Sequence, residues 1–311
     1  MVSFHGKDLV SLAPLKRDDI EGFFLLVDEM KNIILRPVKK VPTLRGKLVA
    51  NLFFEPSTRT RSSFELAGKY LGADVINFSS SGSSVTKGET LLDTVYNIGA
   101  MKPDLLVIRH SSSGAAKYVS LRTDIPVVNA GDGINEHPSQ GLLNAYTIRE
   151  FKKQLDGLKI TIMGDVAHSR VARSDILALS NFNTEITLYG PKTVMFYDHS
   201  PYNVKIAQSL EEAIKDADVL MMLRIQRERQ SALLIPSIRE YAKFYGLSET
   251  KLKMTKPDVI IMHPGPVNHG VELSTNVVYG DRSVIYNQVT NGVATRMAIL
   301  YTLLGGNANE N

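Results

Sequence analysis

The sequence predicts an α/β protein with two doubly wound domains, each a parallel sheet flanked by helices. Three observations predict it. Short apolar runs recur along the chain, and most are continuously apolar rather than alternating, the pattern of strands buried on both faces. Helical patterns lie between the runs. The length, 311 residues, exceeds one ordinary core and suits two domains of about 150 residues each.

The elements follow in chain order. A first run spans residues 48–54. The segment 58–71 then sets Phe64, Ala67 and Leu71 on one helical face and ends at Gly72, a stop signal. Runs at 75–78, 105–108 and 127–128 complete a first series of four strands. Pro138 stands where the first residue of a helix would, and that helix is expected to reach about Leu155. A second series has runs at 160–163, 186–189, 219–223 and 259–262. Val293, Met297, Leu300 and Leu304 form a last apolar stripe before Gly305 and Gly306. The division places one domain at 1–142 and the other at 143–291. The terminal helix, 292–305, is expected to pack back on the first.

Composition excludes several classes of function. Hydrophobic residues make up 43% and charged residues 22%, and the net charge is +4, so the surface is ordinary and only mildly basic. Without a Lys/Arg run, nucleic acid is not an expected partner. The absence of cysteine rules out disulfides, thiolate metal sites and a cysteine nucleophile. The opening twelve residues lack the pattern of a signal peptide, and no apolar run approaches the roughly 18 residues of a membrane span. A cytoplasmic location is the expectation.

Polar segments follow the apolar runs. After 48–54 come Glu55, Pro56, Ser57, Thr58, Arg59, Thr60 and Arg61; after 105–108, Arg109 and His110. After 127–128 come Asn129 to Gly133 and then His137-Pro138-Ser139-Gln140. In the second half, Gly164-Asp165 with Arg170, then Arg224-Ile225-Gln226, then His263-Pro264-Gly265-Pro266 follow their runs. If the strands are parallel, all six segments lie at carboxyl ends, where open α/β sheets bind ligands. Three come from each half, so a cleft between the domains is the expected site.

Ser57 to Arg61 lies between a strand and a helix, where free N–H groups and the helix dipole favour an anion. Three hydroxyls and the guanidinium groups add donors that match a phosphate. No Walker loop precedes the segment. His137 opens a helix, whose dipole favours a neutral imidazole able to polarise an acyl oxygen. Residues 79–88 form a Ser/Gly-rich stretch that reads either as an exposed loop or as a lid carrying Lys87. Arg170, Arg224 and Gln226 ask for a substrate with more than one carboxylate. His263 and His269 lack the carboxylate or thiolate companions of a metal site, and Gly164 to Ser169 is not a dinucleotide fingerprint. No metal and no cofactor is expected.

Three motifs carry a resemblance: Phe53-Phe54-Glu55-Pro56-Ser57-Thr58-Arg59-Thr60-Arg61, His137-Pro138-Ser139-Gln140 and His263-Pro264-Gly265-Pro266-Val267-Asn268. In this order, over nearly the whole chain, they resemble the aspartate/ornithine transcarbamoylase family, and its aspartate branch most. The resemblance implies transfer of a carbamoyl group from carbamoyl phosphate to L-aspartate, an early step of pyrimidine synthesis. It implies that Ser57, Thr58, Arg59 and Thr60, with Arg109, hold the phosphate. Arg59, Thr60 and His137 would contact the carbamoyl oxygen. Gln140 and the backbone of Gly265 and Pro266 would hold the carbamoyl amine. Arg170, Arg224 and Gln226, with Lys87, would grip the aspartate carboxylates. Lys87 and Ser83 or Ser84 would enter from a neighbouring subunit of a homotrimer. A regulatory chain or another pyrimidine enzyme as partner is left open. His269 departs from the family, where arginine is expected in many members. An ornithine pocket would instead call for a carboxylate and a His-Cys-Leu-Pro segment, and this chain has no cysteine. A non-catalytic ligand-binding homologue should lack site residues, and here the set is complete.

Overall fold

The computed structural model describes residues 4, 6–79, 89–225, 234 and 237–305. Contacts divide the chain into two units, Met1–Leu143 with Thr290–Asn311, and Asn144–Val289.

The first unit holds β1 (Leu48–Phe53), β2 (Asp74–Ser79), β3 (Leu105–His110) and β4 (Val127–Asp132), ordered β2-β1-β3-β4. Every pairing in it is parallel. Five of the six residues of β1 and all six of β4 are buried, which is why their sequences run apolar without alternation. Ala50, Leu52, Leu106, Ile108 and Val127 share one core with Val95, Ala116 and Val119. Burying each larger side chain contributes up to about 1.5–3 kcal/mol. Asn51 is the polar exception. Its amide donates to Asn77 Oδ1 at 2.9 Å, and Asn77 donates to Glu65 Oε2 at 2.9 Å, which fixes the β1–β2 register at those two residues.

Helices α1 (Arg17–Ile34), α2 (Thr58–Tyr70), α3 (Leu91–Ala100) and α4 (Ala115–Ser120) belong to this unit, and α5 (Pro138–Lys152) begins in it. α1 was not among the expected elements, although Ile20, Phe23, Phe24, Val27 and Met30 mark one buried face at helical spacing. α2 buries Thr60, Phe64, Ala67 and Gly68 and stops where Gly72 takes a φ of 84°.

The second unit holds β5 (Lys159–Met163), β6 (Glu185–Tyr189), β7 (Val204–Ile206), β8 (Val219–Met222) and β9 (Ile260–Met262), ordered β7-β6-β5-β8-β9 and again all parallel. Each of the eight apolar runs is a strand. β7 is a ninth that the runs did not mark, because three residues at a sheet edge leave almost no periodic signal. Around the sheet lie α6 (Arg170–Leu179), α7 (Leu210–Ile214), α8 (Ile238–Phe244), α9 (Glu249–Leu252), α10 (Thr275–Val278) and the start of α11 (Ile285–Leu304).

Two helix ends differ from expectation. α5 stops at Lys152, because Lys153 adopts a φ of 67° and Lys152 Nζ is tied to the carbonyl and carboxylate of Asp258. The last helix begins at Ile285, ahead of residue 292.

Candidate active site

Each sheet has one switch point. In the first, the chain leaves β1 for β2 on one side and returns to β3 on the other; in the second, β5 is flanked by β6 and β8 in the same manner. Loops diverge at such points and open room for a ligand at the carboxyl ends. The predicted side chains sit there. Ser57 to Arg61 follow β1, and Arg109, the penultimate residue of β3, pairs with Phe53 at the end of β1. Arg170 opens the helix after β5, and Arg224 follows β8.

Ser57 occupies the N-cap of α2, yet its hydroxyl makes no capping hydrogen bond, and no acidic residue enters the first turn. A helix start of this kind favours an anion. Thr60 is buried, while Thr58 and Arg59 are exposed. Arg109 is aimed by its partners: Nε donates to Glu55 Oε1 at 2.7 Å and Nη1 to the Ala130 carbonyl at 3.3 Å. Beside it, His110 Nδ1 accepts from the Ser112 N–H at 2.9 Å. Burial holds the His110 pKa below its usual range, against the pull of Glu55 and Asp132.

His137 is buried, and its carbonyl accepts the N–H groups of Gln140 and Gly141, so the side chain stands at the start of α5. Its Nδ1 lies 3.4 Å from Ser139 Oγ. The turn before it is organised by Asp132, which sequence reasoning missed. Asp132 accepts from Asn129, Asn135, and the backbone N–H groups of Glu136 and Gly114. Gly133 next to it has a φ of 47°, and a Cβ there would lie 2.5 Å from Ser113 N.

In the second unit Arg170 is 2% exposed and follows Ser169, whose hydroxyl caps α6 through the Ala172 N–H. The approach is held by Asp165, 2.7 Å from His168 Nδ1. The loop of Arg224 and the loop of Gly265 and Pro266 are joined by Glu272, a second residue the sequence did not single out. Fully buried, it accepts from Ile225 N–H at 2.9 Å, Asn268 N–H at 2.8 Å and Asn268 Nδ2 at 2.7 Å. Burial raises its pKa and these donors lower it, with burial the larger effect.

His263 fixes the other end of that loop. Its Nδ1 accepts from Gly265 N–H at 2.8 Å, and its own N–H donates to Gln288 Oε1 at 3.0 Å. Gln288 Nε2 donates to Asn144 Oδ1 and Asn144 Nδ2 to Asp175 Oδ1, each at 2.8 Å. Asn144, Gln288 and Asp175 were also unmarked, since each lies far in sequence from the residue it holds. His269 stacks on Tyr279 with ring centroids 5.9 Å apart.

Ser83, Ser84, Lys87 and Gln226 lie outside the described residues. Among the described residues no group of His, Asp and Glu is gathered as a metal ion requires, and no helix is long and apolar enough to cross a membrane. A recess of about 600 Å³ edged by Lys39, Lys40 and Lys69 opens beside Asp74, at the amino end of β2 and so opposite the site.

Two parallel α/β sheets with hydroxyl and guanidinium groups at their switch points define a protein built to bind small anions. The chain belongs to the aspartate/ornithine carbamoyltransferase family: the family's carbamoyl-P binding domain matches residues 7–150, and its Asp/Orn binding domain matches residues 156–303. A relative from Pelobacter propionicus, an aspartate carbamoyltransferase catalytic subunit, is 52% identical over 98% of this chain and 99% of its own. The aspartate transcarbamoylase of Trypanosoma cruzi, solved with N-(phosphonacetyl)-L-aspartic acid, superposes with a TM-score of 0.88 at 32% identity, over 97% of each chain. The ornithine carbamoyltransferase of Thermus thermophilus also shares the fold, with a TM-score of 0.84 at 23% identity over 96% of this chain and 99% of that one. The fold alone therefore does not choose the amino acid.

Proposed function

We propose that this protein transfers the carbamoyl group of carbamoyl phosphate to the amine of L-aspartate, giving N-carbamoyl-L-aspartate and phosphate, an early step of pyrimidine synthesis in the cytoplasm. The observation that carries the reading is the pairing of an uncapped, hydroxyl-rich helix start with Arg109 at one switch point, in a chain whose aspartate-branch relative is 52% identical.

In this reading Ser57, Thr58, Arg59, Thr60 and Arg109 bind the phosphate, each charge-assisted bond contributing about 1.5–3 kcal/mol. Gln140 and the backbone of Gly265 and Pro266 hold the carbamoyl amine. Arg170, Arg224 and Gln226 take the aspartate carboxylates. Lys87, with Ser83 or Ser84, comes from a neighbouring subunit of a homotrimer. Holding amine and carbonyl in contact supplies about 7–11 kcal/mol of the barrier. The neutral amine attacks the carbonyl carbon, and negative charge grows on the oxygen, where Arg59, Thr60 and His137 donate. Losing one such donor lowers the rate about 10²–10³-fold. The new C–N bond forms as the C–O bond to phosphate breaks, and the departing phosphate takes the amine proton. No covalent enzyme intermediate is needed.

The test is phosphate release from carbamoyl phosphate with aspartate or with ornithine as acceptor. Release with aspartate alone is expected. Release with ornithine alone would move the chain to the other branch, and release with neither would leave it a binding protein.

A further inference from the structure

Arg296 is a buried cation, 4% exposed, with no carboxylate partner among the described residues. Its Nη1 donates to Ser63 Oγ at 3.0 Å and to the Gly292 carbonyl at 3.1 Å, and its guanidinium lies 5.2 Å from the Phe64 ring centre. Nε is buried without a hydrogen-bond partner. The backbone makes room for it: a Cβ on Gly292 would stand 2.7 Å from Nη1 and 3.4 Å from Leu143. Burial pushes its pKa down to about 9, which leaves it charged at neutral pH.

A buried charge without a counter-ion is a burden on folding, and an apolar residue of similar volume is often at least as stable. Its position suggests what the burden serves. Ser63 and Phe64 belong to α2, whose first turn carries Thr58, Arg59 and Thr60; Leu143 belongs to α5, opened by His137 and Gln140. The charge thus lies behind both helix starts of the proposed carbamoyl-phosphate half-site. Ser63 is five residues into α2, roughly 8 Å along the axis at 1.5 Å per residue. An anion bound a few ångströms beyond that start lies roughly 12 Å from the charge, and at an effective dielectric constant of about 20 one unit charge at that distance alters anion affinity by about tenfold.

We propose that Arg296 is an electrostatic positioning residue: its buried charge strengthens the anion site at the start of α2 without touching the ligand. This rests on the reading of that half-site given above. The experiment is calorimetric titration of the full-length protein and of Arg296→Met and Arg296→Lys with inorganic phosphate, together with thermal melting. Arg296→Met is expected to bind phosphate about tenfold more weakly while melting at the parent temperature or above. Arg296→Lys, which keeps the charge, should stay within about threefold of the parent. Arg296→Gln replaces the Met variant if that one does not fold. Unchanged phosphate affinity in the neutral variant overturns the proposal, as does a Lys variant as weak as the neutral one. A parent that binds no phosphate overturns the half-site reading itself, an outcome distinct from the other two.

Discussion

Asp175 ends a buried chain of amides, and its ionisation makes the stability of the second unit depend on pH. Gln288 Oε1 must accept, because its partner is a backbone N–H. Gln288 Nε2 therefore donates to Asn144, and Asn144 Nδ2 donates to Asp175 Oδ1. Asp175 Oδ2 is left buried without a hydrogen-bond partner. Burial raises the Asp175 pKa well above its usual value, more than the Asn144 bond lowers it. A raised carboxyl pKa means that the folded protein holds a proton the unfolded chain releases. Stability from this group is then complete below the unfolded pKa near 3.8 and declines as pH rises toward the folded value. Asp175→Asn keeps the acceptor and removes the titration. The variant is expected to unfold at higher denaturant than the parent at pH 8, with the difference shrinking toward pH 4. Parallel stability curves across that range would show that Asp175 is already ionised in the fold.

The strand-end loops are elements held from a distance, and this decides which of them the sequence made visible. The strands were legible because burial on both faces writes a continuous apolar run, as in β1 and β4. The reactive residues were legible because each follows its run directly, Arg109 after 105–108 and Arg224 after 219–223. Their supports were not. Glu272 lies 47 residues from Ile225, Asp175 lies 31 from Asn144, and Gln288 lies 144 from Asn144. No local period connects such pairs; only the fold brings them together. A polar residue on an otherwise buried helix, as Asn144 is on α5, is the one signal that could have marked them. The loop of His263, Gly265 and Pro266 gives a test at this scale. Gln288→Leu removes the acceptor of the buried His263 N–H, an expected loss of about 1–3 kcal/mol. If that loop holds the carbamoyl amine, the KM for carbamoyl phosphate should also rise several-fold, while the KM for aspartate changes little. A lower melting temperature with both KM values unchanged would make the relay a matter of folding only.

At the scale of the whole molecule, the proposed chemistry needs more than one chain. Arg59 lies in the first turn of α2, whereas Lys87 is assigned to a site it enters from a neighbour. In a closed trimer each such site takes Arg59 from one subunit and Lys87 from the next, so two different defects can cover for each other. Arg59→Ala trimers lack the phosphate and oxyanion donor in every site, and Lys87→Ala trimers lack the contribution of the neighbour in every site. Each should be nearly inactive alone. After dissociation and reassembly at equal ratio, a site is intact only where a Lys87→Ala chain supplies Arg59 and an Arg59→Ala chain supplies Lys87. Random mixing makes that about one site in four, so about a quarter of the parent activity should return. Intact sites confined to one subunit would give no recovery from the same mixture, even where tagged chains prove that exchange took place. Recovery well above a quarter would instead mean that one of the two substitutions leaves its site partly active, which the unmixed trimers would already show.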